Sequence, residues 1–213
     1  MMIRRSLIAA AVGIFTGVLF AQPNPDPAAH LTGRLADVYA IYSLLMPGAV
    51  FANLGTDQNQ RWAIADTTVN ADDISPPLAP EAALKPPDDH PRRFHDAVVD
   101  YEQRKNERQP VLHAFHLDRP YTMLTSADVQ EFQSARTNPS PDSASLEKYN
   151  GYPGINYFSD VYFNPQRTAA LVYQLSWCGN FCSQGEWIYL EKQNGQWVQR
   201  SGKPAVVSGA TPF

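Results

Sequence analysis

The stretch 152–201 confines this chain more than any other, because its alternation and its turns together demand a sheet. Leu171, Tyr173, Leu175 and Trp177 fall on one face of an extended strand, with Ala170, Val172, Gln174 and Ser176 on the other. β-Branched and aromatic side chains suit such a pleated, half-buried surface. Asn194-Gly195 separates 187–192 from 196–200. A type I′ turn needs positive φ at both central residues, which Asn and Gly tolerate best. Asn164-Pro165-Gln166-Arg167 reads as another turn, between 157–163 and 168–177. The prediction is four consecutive antiparallel strands, roughly 157–163, 168–177, 186–192 and 196–201.

The N-terminus has the layout of an export signal. Arg4 and Arg5 form a basic region, 6–20 an apolar one, and Ala21 is a small residue before Gln22. Leu19, at the third position before the expected cut, is larger than the usual small residue. The other reading is an uncleaved membrane anchor, but the apolar run is shorter than the ~20 residues that span a bilayer. With no cysteine near the cut, a lipid anchor on cysteine is excluded. The signal reading therefore assigns 1–21 to export and 22–213 to a periplasmic or extracellular protein. Membrane contact is expected only through the signal segment before cleavage.

The formal net charge is −4, and losing Arg4 and Arg5 makes the remainder more acidic. An acidic chain without a basic block argues against nucleic acid and anionic membrane surfaces as partners.

Both cysteines of the chain, Cys178 and Cys182, lie in the loop 178–185 between two predicted strands. Exported thiols meet an oxidising compartment, so an intramolecular disulfide is predicted. A redox pair is the alternative, but such pairs usually show C-x-x-C at a helix start, where the helix lowers the thiol pKa.

The whole pattern resembles a C-terminal signature of uncharacterised exported bacterial proteins. It comprises Tyr152-Pro153-Gly154, Ser159-x-Val161-x-Phe163-Asn164, Ala170-Leu171-Val172-Tyr173, Cys178-Gly179-x-x-Cys182-x-x-Gly185 and Leu190-Glu191-Lys192-x-x-Gly195-x-Trp197. The resemblance implies the sheet and the exported setting, and it brings no catalytic residue with it.

Before the sheet, Asp26 and Pro27 can open a helix that runs to Met46 and stops at Pro47-Gly48. Its Leu31, Leu35, Val38, Tyr42 and Leu45 share one face. Residues 61–69 read as a strand. The segment 72–91 carries six prolines and reads as an extended surface loop. Phe94, Val98, Tyr101 and Lys105 mark a helix over 94–108. Strands are expected at 111–117 and 121–124, a helix capped by Ser126 through Arg136, and a helical turn at 146–149.

The chemistry-bearing residues form no recognised motif. His113 and His116 invite a metal reading, but positions three apart in a strand face opposite ways. His90 and His95 lack metal-motif spacing. No metal, cofactor or catalytic residue is therefore predicted. A hydrolase assembled from dispersed residues is the alternative, with Asp160 and His116 the first to inspect. The aromatics Tyr152, Tyr157, Tyr162, Tyr173, Trp177, Trp187 and Tyr189 are read as core packed against helices, or else as a ligand-binding sheet face.

The sequence thus predicts a single α+β domain over 22–213: a C-terminal four-stranded antiparallel sheet covered on one face by the 27–46 and 94–108 helices. Its expected role is non-catalytic binding of a small ligand or an envelope component, on a concave sheet face. If the export reading holds, N-terminal sequencing of protein recovered from the native envelope or medium should begin at or near Gln22. Intact Met1 in the membrane fraction would overturn it.

Overall fold

The computed structural model describes residues 30–46, 60–74, 77–202 and 205–206. The segment read as a signal, the helix start at Pro27 and the Pro47-Gly48 stop lie outside the described residues. In chain order the elements are α1 (Gly33–Leu45), β1 (Trp62–Ala65), α2 (Pro80–Ala83), α3 (Pro91–Arg104), β2 (Tyr121–Leu124), α4 (Ser126–Thr137) and α5 (Ser143–Lys148), and then the strands β3 (Ile155–Phe158), β4 (Tyr162–Phe163), β5 (Ala169–Gly179), β6 (Cys182–Gln193), β7 (Gln196–Gly202) and β8 (Ala205–Val206). No helix among the described residues is long and apolar enough to cross a membrane.

The α+β class holds, but the sheet is larger than four antiparallel strands. Eight strands join in one mixed sheet, in the order β2-β1-β3-β5-β6-β7, with β4 on β5 and β8 on β6. β1 pairs in parallel with β2 and with β3. Such pairings join residues as far apart as Ala63 and Ile155 and need no tight turn, so they leave no local mark in the sequence. The antiparallel half matches expectation. β5 and β6 pair along their length, and Asn194 and Gly195 adopt φ of 51° and 82° at the β6–β7 turn.

Helices cover both faces, which corrects the one-face expectation. Leu171, Tyr173, Leu175 and Trp177 pack with Phe94, Val98 and Tyr101 of α3 and Val129 and Phe132 of α4. On the opposite face Ala170, Val172, Ile188 and Leu190 pack with Val38, Ile41, Tyr42 and Leu45 of α1. The physical reason lies in those residues: the second face is apolar enough to require its own cover. The aromatic residues of the sheet are therefore core, and no concave aromatic face is left open among the described residues.

α1 is tied to the sheet by side chains as well as by packing. Asp37 accepts from Lys192 Nζ at 2.5 Å and Trp197 Nε1 at 3.0 Å, and the Tyr42 hydroxyl donates to the Ser159 carbonyl at 2.7 Å. Thr32 at its N-terminus makes no side-chain cap, and its first turn carries no acid.

Four local expectations change. The segment 111–117 is not a strand. Three of its backbone N–H groups go instead to side-chain hydroxyls, Leu112 to Tyr39, Phe115 to Tyr121 and His116 to Ser43, while Val111 and Ala114 donate to the Asp66 and Leu112 carbonyls. The 72–91 segment is not a plain surface loop. Pro80 and Leu84 are buried, and Trp187 Nε1 donates to the Leu78 carbonyl at 2.6 Å. Pro80 and Pro91 each open a helix, where a missing N–H costs nothing. α3 thus starts before Phe94 and ends at Arg104, with the Lys105 carbonyl taken by Ala71 N. The cap of α4 is Thr125, in a reciprocal box with Asp128, and Asp142 caps α5.

Cys178 and Cys182 are joined by a disulfide, their Cα atoms 5.2 Å apart. Both belong to strand ends, so the turn is only Asn180-Phe181.

Gly185 on β6 has no room for a side chain, because a Cβ there would overlap the Tyr173 hydroxyl on β5. Tyr173 is itself buried. Gly185→Ala should destabilise the protein by about 1–3 kcal/mol in urea unfolding, as overpacking does. An unchanged midpoint would show that the ring moves freely.

Candidate functional site

The site begins with an extra residue in a strand. Phe158 lies opposite Gln174 and Tyr162 opposite Leu171, so one strand takes four steps where the other takes three. This β-bulge divides the strand expected over 157–163 into β3 and β4. Ser159 repairs the ladder with its side chain, since Oγ accepts from Tyr173 N at 2.8 Å. The bulge aims Asp160 out of the sheet.

Asp160 is 6% exposed and has donors on both oxygens. Its Oδ1 accepts from Val161 N at 2.6 Å and Arg34 Nη2 at 3.2 Å. Its Oδ2 pairs with Arg104 Nη2. Arg104 Nη1 also reaches Asp100 Oδ2 at 3.1 Å, and Asp100 Oδ2 accepts the Phe163 N–H of β4 at 2.8 Å. Arg34 comes from α1 and Arg104 from α3, so the cluster joins helices on opposite faces around the end of β3. Burying a carboxylate this deeply costs free energy unless it is paired and hydrogen-bonded, and here both conditions are met.

Beside this cluster opens a cleft of about 470 Å³. Arg34, Arg104 and Asp160 lie at its polar end with Thr68, Tyr39 and Tyr42. Leu35, Val38, Pro110 and Leu112 make its apolar wall. Leu35 and Leu112 are 48% and 42% exposed, high for large apolar side chains. Burial raises the Tyr42 phenol far above its ordinary value, so it stays a neutral donor.

A second pocket of about 440 Å³ lies past the carboxyl end of β1. Ala65, Val129 and Tyr157 meet there with Asp66, Thr67, Ser126 and Gln130. No histidine lines either opening.

The other sequence candidates fall elsewhere. His116 is exposed and does not line the cleft with Asp160. His113 stacks on Tyr121 at 4.3 Å, its Nδ1 3.0 Å from the Tyr121 hydroxyl. His90 precedes α3 and lies 3.8 Å from the buried Glu191. Arg200 accompanies that pair, 2.6 Å from Asp89. Among the described residues no group of three or more His, Cys, Asp or Glu is placed to hold a metal ion. Sequence reasoning missed Arg34 and Arg104. Their signals were an arginine one turn before Val38 on the buried stripe of α1, and an Asp100–Arg104 pair at i, i+4 spacing.

Arg104→Met would leave Asp160 short of one partner in a buried position. The expected loss of stability is about 3–5 kcal/mol by chemical denaturation, with part of it recovered on adding Asp160→Asn. A neutral Arg104→Met would mean that the cluster does not hold the two helices. Comparison of the chain with protein-family models, with curated proteins and with solved structures finds no match.

Proposed function

We propose that this is an exported, non-catalytic protein that holds a small ligand or an envelope component in the cleft beside Asp160. One observation carries the reading. The acidic group at the polar end of the cleft has both oxygens committed to donors, while an apolar wall beside it stays open to solvent. A general base needs an accessible lone pair within reach of its substrate, and Asp160 is buried with a donor already on each oxygen. A binding site needs concave apolar area with a few fixed polar groups, and the cleft supplies both.

The exported setting rests on the order of basic, apolar and small residues before Gln22. The Cys178–Cys182 bridge is compatible with it. An acidic chain speaks against nucleic acid as the partner. The dispersed-hydrolase alternative loses its first pair, because His116 does not line the cleft with Asp160.

Ligand-observed NMR of the purified chain against a mixture of small amphipathic compounds tests the reading. Hits should appear, and they should vanish in Leu35→Trp, which fills the cleft from its exposed side. Hits that persist in Leu35→Trp would place binding elsewhere. Hydrolysis of a chromogenic ester above the buffer rate, lost in His116→Ala, would turn the assignment to a hydrolase.

A further inference from the structure

We infer that the ligand of this cleft is an amphipathic carboxylate, its head held by Arg34, Tyr39 and Thr68 and its apolar tail laid on Leu35, Val38 and Leu112. The inference rests on reading the cleft as a ligand site, and it comes from asking which polar capacity there is already used.

The carboxylates at the polar end already hold donors. Asp160 serves Val161 N, Arg34 and Arg104, and Asp100 serves Arg104 and Phe163 N. Tyr42 gives its proton to the Ser159 carbonyl. Several donors remain. Thr68, 2% exposed, accepts Gln109 N at 2.8 Å, and its own O–H has no acceptor among the described residues. Tyr39, also buried, accepts Leu112 N and is in the same position. A hydroxyl carries one donor as well as its lone pairs, so each of these has a proton still to place. Burial pushes the Tyr39 phenol above its ordinary value, so it keeps that proton at neutral pH. Both hydroxyls grip one short segment, 109–112, and both line the cleft.

Arg34 adds charge to these donors. Its Nη2 is used by Asp160 Oδ1 and by the Val161 carbonyl at 2.7 Å. Its Nη1 has Asp100 no nearer than 3.7 Å, outside hydrogen-bond range. The guanidinium lies over the Phe163 ring at 4.9 Å, which fixes its plane, and more than a third of the side chain is exposed. With both Nη2 protons taken, Nη1, held in a fixed plane, keeps N–H groups to meet one oxygen of an anion, and the Thr68 and Tyr39 hydroxyls are left to meet the other. The charges of Arg34, Arg104, Asp100 and Asp160 cancel, so a dianion would find no net positive charge there and would meet the buried Asp160 carboxylate besides. Beyond this head site the lining is mainly apolar, Leu35, Val38, Pro110 and Leu112 with Gln109 the one further polar residue, which suits an acid with a hydrocarbon portion.

Isothermal titration of the full chain with sodium octanoate and with octan-1-ol tests the head group. Octanoate should bind at least about tenfold more tightly than the alcohol, and Arg34→Gln should erase most of that difference, since a hydrogen bond to a charged group is worth about that factor. Arg34 also contacts Asp160, so a second variant guards against a folding artefact. Leu35→Asp alters only an exposed wall residue, and it should abolish octanoate binding with an unchanged melting curve. N-acetyl-leucyl-leucine separates the two sources of such an acid: binding tighter than octanoate assigns the site to a peptide C-terminus, and weaker binding to a fatty acid. Equal affinity for octanoate and octan-1-ol, unaffected by Arg34→Gln, would overturn the inference and leave the cleft a binding site. Failure of all three probes to bind would remove both.

Discussion

The buried carboxylate of Asp160 fixes the relation between the two helical layers. α1 and α3 cover opposite faces of one sheet, and hydrophobic packing alone would let each slide along its own face. The bulge between β3 and β4 turns one side chain out where arginines from both helices can reach it. Both layers are then referred to the same backbone position. The neighbouring Asp100 takes the outward N–H of Phe163, which blocks pairing along β4. The cleft exists because this junction holds the helices at the end of β1, and Thr68 and Tyr39 pin the 109–112 segment across it.

The long hairpin of β5 and β6 supplies the surface on which both layers rest. Every residue from Ala169 to Trp177 is buried. Of the polar groups in this run, Ser176 donates to Asn156 at 2.8 Å and Asn156 in turn to the Ala63 carbonyl at 3.2 Å, while Gln174 Nε2 is buried with no partner among the described residues. That chain of bonds links β5 through β3 to β1, so the parallel and antiparallel halves share polar contacts as well as a ladder.

How much was legible in the sequence follows from how local each signal is. The Asn194-Gly195 turn, the β5 alternation and the strand 121–124 are set by neighbouring residues, and all three are present. The parallel strand β1 was visible as a strand, but its place between β2 and β3 was not. A partner ninety residues away leaves no trace in a short window. Val111–Leu117 failed for a different reason. Val111, Ala114 and Phe115 do face the core while Leu112 does not, and hydroxyls from α1 and Tyr121 take three of the N–H groups that a ladder would have used. In the cleft, Asp160 was singled out from its position beside a strand, whereas its two arginine partners lie more than fifty residues away on separate helices. Local patterns do not encode such meetings.

The ties of α1 also bear on the order in which the chain can mature. This helix has no side-chain cap at its start and no acid in its first turn, so little beyond its contacts keeps it helical. Those contacts include Lys192 and Trp197, near the opposite end of the chain. A polypeptide that emerges or is threaded N-terminus first offers α1 no finished surface until the last strands arrive. α1 therefore gains its full set of contacts only once β6 and β7 are in place, which makes the two ends of the described chain depend on one another.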